Sequence, residues 1–136
     1  MSSTRERLRV AGVILHRDGR VLLQHRDDRP DIVSPNLWVI FGGHLEPGEE
    51  PEAGARREIQ EELGLSLEPP LELFHHDDDG NRERFFFAAD LRVPIAELTL
   101  YEGQAMELLG PEEIRRYPLV PFHRELLLRF LGSNGT

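Results

Sequence analysis

The stretch "GGHLEPGEEPEAGARREIQEELGL", Gly42 to Leu65, decides how the rest of the chain is read. Its second half is the clearest helix in the sequence. Pro51 suits a first helical position, acids around it suit the positive end of a helix dipole, and Gly64 supplies the stop. Between them Ala55, Ile59 and Leu63 recur every four residues and predict a buried stripe. Glu58, Glu61 and Glu62 fall together on a neighbouring face, and Gly54 leaves room on that side. Seven glutamates in 24 residues repel one another. A Glu-rich helix face is usually just a solvated face, and Arg57 could pair with Glu61 across one turn. Two features favour another reading. An apolar run, "LWVIF", delivers the chain into Gly42-Gly43 immediately upstream, where backbone carbonyls are left accessible, and Glu49 enters just before the helix. Hard cations such as Mg²⁺ take oxygen ligands, commonly carboxylates together with substrate phosphates.

Upstream, "LRVAGVIL" and "VLLQH" predict two strands joined by the turn "RDGR". A polar loop with two prolines leads to "LWVIF", read as one strand. Downstream, "LELFHH" and "RERFFFAADLRV" predict strands joined by "DDDGN". "LTLYEGQAMELL" predicts a strand broken at Gly103. "GPEEIRRY" predicts a short helix and "PFHRELLLRFL" a terminal one, with Phe122, Leu126 and Phe130 on one stripe and Leu127 and Leu131 beside it. Strands and helices mix without regular βαβ alternation, which indicates a mixed sheet covered by helices, an α/β class.

The 136 residues fit one domain, with termini at about 1–6 and 132–136 expected to be flexible. The chain has no cysteine, which excludes disulfides and thiolate chemistry and is consistent with the cytoplasm. All 16 basic residues are arginine, so a lysine Schiff base or P-loop lysine is excluded. A net charge of −9 argues against broad nucleic-acid binding. No apolar run reaches membrane-spanning length.

Gly43, Glu49, Arg57, Glu58, Ile59, Glu61, Glu62, Gly64 and Leu65 fill every fixed position of the pattern G-x5-E-x7-R-E-U-x-E-E-x-G-U, where U is apolar. The segment resembles the signature box of the Nudix hydrolases, and "EGQ" at Glu102-Gly103-Gln104 resembles a segment of their MutT-like branch. The resemblance implies a mixed β-sheet sandwiched between α-helices. It further implies a Mg²⁺-dependent pyrophosphohydrolase, with Mn²⁺ as a substitute, acting on a nucleoside diphosphate linked to another group. Carried over to this chain, the metal ligands are Glu58, Glu61, Glu62, Glu102 and the carbonyl near Gly42. Glu58, Glu61, Arg57 and Glu102 are the catalytic candidates, with Arg57 oriented by Glu49. Arg26, Gly43 and Glu49 lie on the substrate side. The motif leaves open which glutamate is the general base.

The preferred substrate is a small nucleotide, a nucleoside triphosphate or a modified one. ADP-ribose, a nucleotide sugar or a dinucleoside polyphosphate are the alternatives within the class, and a silent nucleotide-binding module is the alternative outside it. Homodimers are frequent in such families, though no feature of the sequence demonstrates one. "HHDDD", His75 to Asp79, reads as a solvated turn. Trp38 and Phe85 to Phe87 read as core. Phe41 stands where the family often has proline. The stretch "YPLVPFHRELL" lacks the asparagine that MutT enzymes use to read 8-oxoguanine, although His123 lies close.

Overall fold

A computed structural model describes residues 8–134. β1 (Leu8–Arg17) and β2 (Arg20–His25) form the expected hairpin, closed at Arg17↔Arg20. Asp18 and Gly19 both take positive φ, as a two-residue hairpin turn requires. The two strands pair at three positions and then part. β2 goes on to pair with β3 (Trp38–Val39) and β7 (Ala105–Leu109), while β1 pairs antiparallel with β4 (Phe41–His44). The apolar run expected as one strand is therefore divided at Ile40. It enters the fork of the hairpin, bonds β2 first and β1 afterwards, and carries Gly42-Gly43 inside β4 rather than beyond a strand end. Gly42 permits this close approach: a Cβ there would lie 2.3 Å from the carbonyl oxygen of Ala11.

On its other side β1 runs parallel to β6 (Arg82–Asp90), from Leu8↔Arg82 to His16↔Asp90. β5 (Glu72–Asp78) completes that edge antiparallel to β6, with a bulge between Leu73 and His75. The strand expected to end at His76 therefore runs on through Asp78, so Asp77 and Asp78 belong to β5 and not to the expected turn. His75 bonds Asp77 and Arg129, and Asp77 accepts from Arg84 at 2.8 Å, so cross-strand pairing extends the ladder to Asp78. Of the segment 98–109 only Ala105–Leu109 is a strand, because the preceding loop spends its backbone hydrogen bonds elsewhere, as described below.

The sheet alternates cleanly between two cores. Val13, Leu15, Leu22, Phe41 and Phe87 meet Ala55, Ile59 and Leu63 of α1 (Pro51–Leu63) on one face. Ile14, Val21, Leu23, Ile40 and Phe86 meet Ile114 of α2 (Pro111–Arg116) and Leu126, Leu127 and Phe130 of α3 (Pro121–Asn134) on the other. Burial of Ile59 and Leu63 contributes about 1.5–3 kcal/mol each and fixes the rotation of α1. Trp38 and Phe86 are buried as expected, and Phe85 only partly. The mixed sheet between helices expected from the sequence is what forms. α3 runs through Asn134, so residues 132–134 are helical where a flexible tail was expected; residues 1–7 and 135–136 lie outside the described residues.

Candidate active site

The site is built where β4 meets α1. Glu50 caps the helix, its carboxylate accepting from the backbone N–H groups of Ala53 at 3.0 Å and Glu52 at 3.3 Å, ahead of Pro51 at the first position. Gly64, left-handed at φ 67°, ends it. The expected stripe of Ala55, Ile59 and Leu63 packs on the sheet, and this rotation turns Glu58 and Glu62 towards β4. A Cβ on Gly43 would lie 2.4 Å from Oε1 of Glu58, so the absence of a side chain on Gly43 is what admits the Glu58 carboxylate. Gly54 plays the same part opposite Leu45 and Glu49: a Cβ there would meet them at 2.2 and 2.9 Å.

Arg57 is the hub of the outer half. Its guanidinium donates from Nε and Nη2 to the two oxygens of Glu49, at 2.8 and 2.9 Å. Nη1 donates to Glu58 at 3.1 Å and to both oxygens of Glu61 at 3.2 Å, and Nη2 also reaches the carbonyl of His44 at 3.2 Å. Bidentate charge-assisted pairing of this kind is strong and directional. Hydrogen bonds from Arg57 and from the Glu46 N–H hold the Glu49 carboxyl at a pKa of about 2. The hydrogen bond to Glu49, and after it those to Glu61 and the charge of Glu58, raise Arg57 against the effect of burial.

The inner half is different in kind. The buried Glu62 accepts one hydrogen bond, from the N–H of Gly42 at 3.0 Å. Burial, then the charges of Glu58 and Glu102, push its carboxyl up to about 8, against the pull of Gly42 and Arg26. Burial also raises Glu58, opposed by Arg57. Glu102 is exposed, yet its charge acts on both, so the loop residue stands beside the helix pair. Arg26 lies near enough to Glu62 for its charge to be felt, and its Nε is buried with no hydrogen-bond partner among the described residues. Glu61 departs from the other two helix acids. Its side chain is 56% exposed against 14% for Glu58, and it turns outward to Arg57.

The donor set suits a hard divalent cation: oxygen atoms only, including two carboxylates raised first by burial and then by the charges of neighbouring acids, a cost that a cation would relieve. Among the described residues no three acidic or histidine side chains stand at metal-ligand spacing. Arg57 Nη1 occupies the gap between Glu58 and Glu61, and Glu62 rests on Gly42. Gathering Glu58, Glu61 and Glu62 onto one ion would exchange the Nη1 contacts for that ion and leave the Glu49 fork in place.

Of the residues that hold the Glu102 loop, the sequence singled out Gln104, as part of "EGQ", and missed Gln24. Gln24, 3% exposed, donates from Nε2 to the Glu102 carbonyl at 2.9 Å. Gln104 donates from its backbone N–H to His25 and from its side chain to the Arg26 carbonyl and Asn36. The N–H groups of Thr99 and Tyr101 bond the carbonyls of Leu63 and Glu62, two that the end of α1 leaves open. A glutamine inside the apolar strand "VLLQH" was the available signal: Gln24 shares the α1-facing side with Leu22, where an apolar residue is the norm.

Desolvated carboxylates and an arginine fork at one helix face fit the divalent-cation chemistry that phosphoanhydride hydrolysis uses. Comparison with family models matches the NUDIX domain over residues 5–130, and the chain belongs to the Nudix hydrolase family, in its MutT-like branch. It is 32% identical over 131 residues to the CTP pyrophosphohydrolase of Escherichia coli (strain K12), covering 95% of each chain. It is 33% identical over 120 residues to the nucleoside triphosphatase NudI of Escherichia fergusonii, covering 78% of this chain and 84% of that one. The crystal structure of the MutT NUDIX hydrolase from Burkholderia pseudomallei superposes with a TM-score of 0.72 at 25% identity, over 90% of this chain and 97% of that one.

Proposed function

We propose that the protein is a Mg²⁺-dependent nucleoside triphosphate pyrophosphohydrolase that releases a nucleoside monophosphate and pyrophosphate, with a cytidine-type triphosphate as its foremost substrate. The pairing of Glu58 and Glu62 on one desolvated helix face beside Gly42-Gly43 carries the reading. The substrate class is supported by the likeness, over nearly the whole chain, to a CTP pyrophosphohydrolase, and by that to a nucleoside triphosphatase. Glu58, Glu61, Glu62, Glu102 and the Gly42 carbonyl would hold Mg²⁺, which when bound supplies neutralisation of phosphoryl charge and Lewis acidity.

The chain's own residues do the rest. Arg57, braced by Glu49, aims Glu58 and Glu61 and opposes the burial that raises the Glu58 carboxyl. Arg26 presents a cation to the phosphate chain, which offsets the repulsion a net charge of −9 imposes. Glu102, exposed and unencumbered by Arg57, takes the proton from the attacking water. The ligand is a small nucleotide rather than a nucleic acid, and the proposed compartment is the cytoplasm; no helix among the described residues is long and apolar enough to cross a membrane.

The test is a substrate panel with Mg²⁺, with Mn²⁺ and with chelator, separating phosphate, pyrophosphate and monophosphate. The expected result is pyrophosphate and CMP from CTP, abolished by chelation, with Glu102→Gln lowering kcat by about 10²-fold or more and KM little changed. Turnover of ADP-ribose without turnover of triphosphates would overturn the substrate class, and no turnover of any nucleotide would favour a binding module.

A further inference from the structure

Ile40 sits at the point where the apolar run changes partner, between β3 bonded to β2 and β4 bonded to β1. Its N–H therefore belongs to neither ladder. A buried peptide N–H without an acceptor is costly, so the accounting requires one. The acceptor is Nδ1 of His123, at 3.1 Å and 83 positions away in sequence, on the first turn of α3. An imidazole nitrogen accepts only when unprotonated, which places the single ring proton on Nε2. The surroundings enforce that state: burial, and then the charge of Arg84, push the His123 pKa down to about 4. The ring is held edge-on against Phe86, with centroids 5.7 Å apart, and Phe122, at 6.2 Å.

The same contacts lead to the reaction site. Gly12 of β1 is the register partner of Gly42 on one side and of Phe86 on the other. A Cβ on Gly12 would lie 2.9 Å from the Phe86 ring and 3.0 Å from the Phe41 carbonyl, so these groups close over the strand without slack. Two residues beyond Ile40, the N–H of Gly42 donates to Glu62. The segment Ile40 to Gly43 is thus gripped from the α3 face by His123 and from the α1 face by Glu62 and Glu58.

We propose that His123 is a positioning residue for the hydrolytic site: through its Nδ1 it pins Ile40 at the strand crossing, and so fixes where Gly42 and Gly43 meet Glu62 and Glu58. The inference rests on the reading of those glutamates as the reacting centre. A histidine that merely filled space between α3 and the sheet would be replaceable by any side chain of similar volume. A positioning histidine is replaceable only by one that puts an acceptor where Nδ1 stands.

Three variants separate these roles. Asparagine places Oδ1 near the position of Nδ1, glutamine carries its acceptor one carbon further, and leucine keeps bulk without an acceptor. Hydrogen exchange of the Ile40 and Gly42 amides reads the clamp without any need for turnover. We expect His123→Leu and His123→Gln to lose about tenfold or more in protection at Ile40, and to need several-fold more Mg²⁺ for half-maximal rate, with kcat falling about tenfold. His123→Asn should restore both readouts to within about threefold of the parent. Full Ile40 protection in His123→Leu, or equal loss in the asparagine and glutamine variants, would overturn the proposal. Should leucine fail to fold, the asparagine–glutamine contrast decides alone. If the parent shows Mg²⁺-independent turnover, the metal-site reading fails, while the exchange data still judge the clamp.

Discussion

Glu49 and Glu62 stand 13 positions apart in one acidic stretch and are the same side chain, yet their carboxyls titrate at about 2 and about 8. Glu49 receives two guanidinium donors and a backbone N–H. Glu62 receives one N–H and is buried next to two further acids. The contrast divides the cluster by task. One carboxylate is saturated by donors and works as a strut. The other is short of donors and is left with unmet affinity for positive charge. Sequence proximity groups them, and it is the supply of hydrogen-bond donors that separates them.

Isosteric amides break the comparison most sharply. Glu62→Gln keeps an oxygen for the Gly42 N–H but removes the charge. Turnover should fall by about 10³-fold or more, while the metal-free protein gains about 1–2 kcal/mol because a buried, repelled carboxylate has gone. Glu49→Gln should do the reverse to stability, costing about 1–3 kcal/mol by splitting the Arg57 fork, with turnover falling through displaced Glu58 and Glu61. Urea denaturation of the chelated proteins, alongside steady-state rates, reads both. Equal stability changes of the same sign in the two variants would erase the distinction between strut and proposed metal ligand.

Gly43→Ala sharpens the same boundary from the strand side. The three atoms nearest the added methyl would all belong to the Glu58 carboxyl, the far end of a flexible side chain, so the carboxylate swings away and the fold gives little. The expected outcome is about 10–100-fold lower turnover with less than about 1 kcal/mol lost in stability. Gly42→Ala instead drives a Cβ into the Ala11 backbone and should cost stability first, which a thermal melt of the two variants side by side will show.

This division was only partly legible in the sequence. Spacing alone put Ala55, Ile59 and Leu63 on a buried stripe, and the resemblance assigned Glu58 and Glu62 to the site; period 3.6 is local information. It could not show that Glu61, one position from Glu62, turns outward, because that depends on Arg57 being pulled towards Glu49. Nor could local pattern divide Trp38 to His44 at Ile40, since the break is dictated by two strands far away that diverge and by an acceptor on α3. Asp77 and Asp78 read as part of a turn by composition, but pairing with Arg84 and Glu83 on β6 draws them into β5.

The two carboxyls also predict a pH dependence. A folded-state pKa raised from 4.5 to about 8 means that folded Glu62 holds a proton the unfolded chain has released. Stability of the metal-free protein therefore falls as pH rises through that window. His123, depressed from 6.5 to about 4, works oppositely below 6.5: the unfolded chain binds the proton first, and stability falls as pH drops. Between about 6.5 and 8 the Glu62 contribution stands apart from that of His123, at no more than about 1.4 kcal/mol per pH unit. Glu62→Gln should flatten the slope, and saturating Mg²⁺ should reverse it. A chelated parent whose midpoint in urea is level from pH 6.5 to 8 would show that Glu62 is already ionised and solvated.

The smallest expected effect concerns the loop that brings Glu102 to the pair. Gln24→Leu retains the buried volume on the α1 face of β2 and deletes the amide that donates to the Glu102 carbonyl. Thr99 and Tyr101 remain bonded to the end of α1, and Gln104 to His25, so the loop keeps three of its backbone anchors. Placement of the Glu102 carboxylate should loosen without loss of the loop. The rate is expected to fall about three- to tenfold, in kcat and not in KM, with stability within about 0.5 kcal/mol of the parent because an apolar side chain suits the site. In a Glu102→Gln background the same change should do almost nothing further, since both act on one carboxylate. Additive losses in the double variant would mean that Gln24 supports Leu22 and the sheet rather than Glu102.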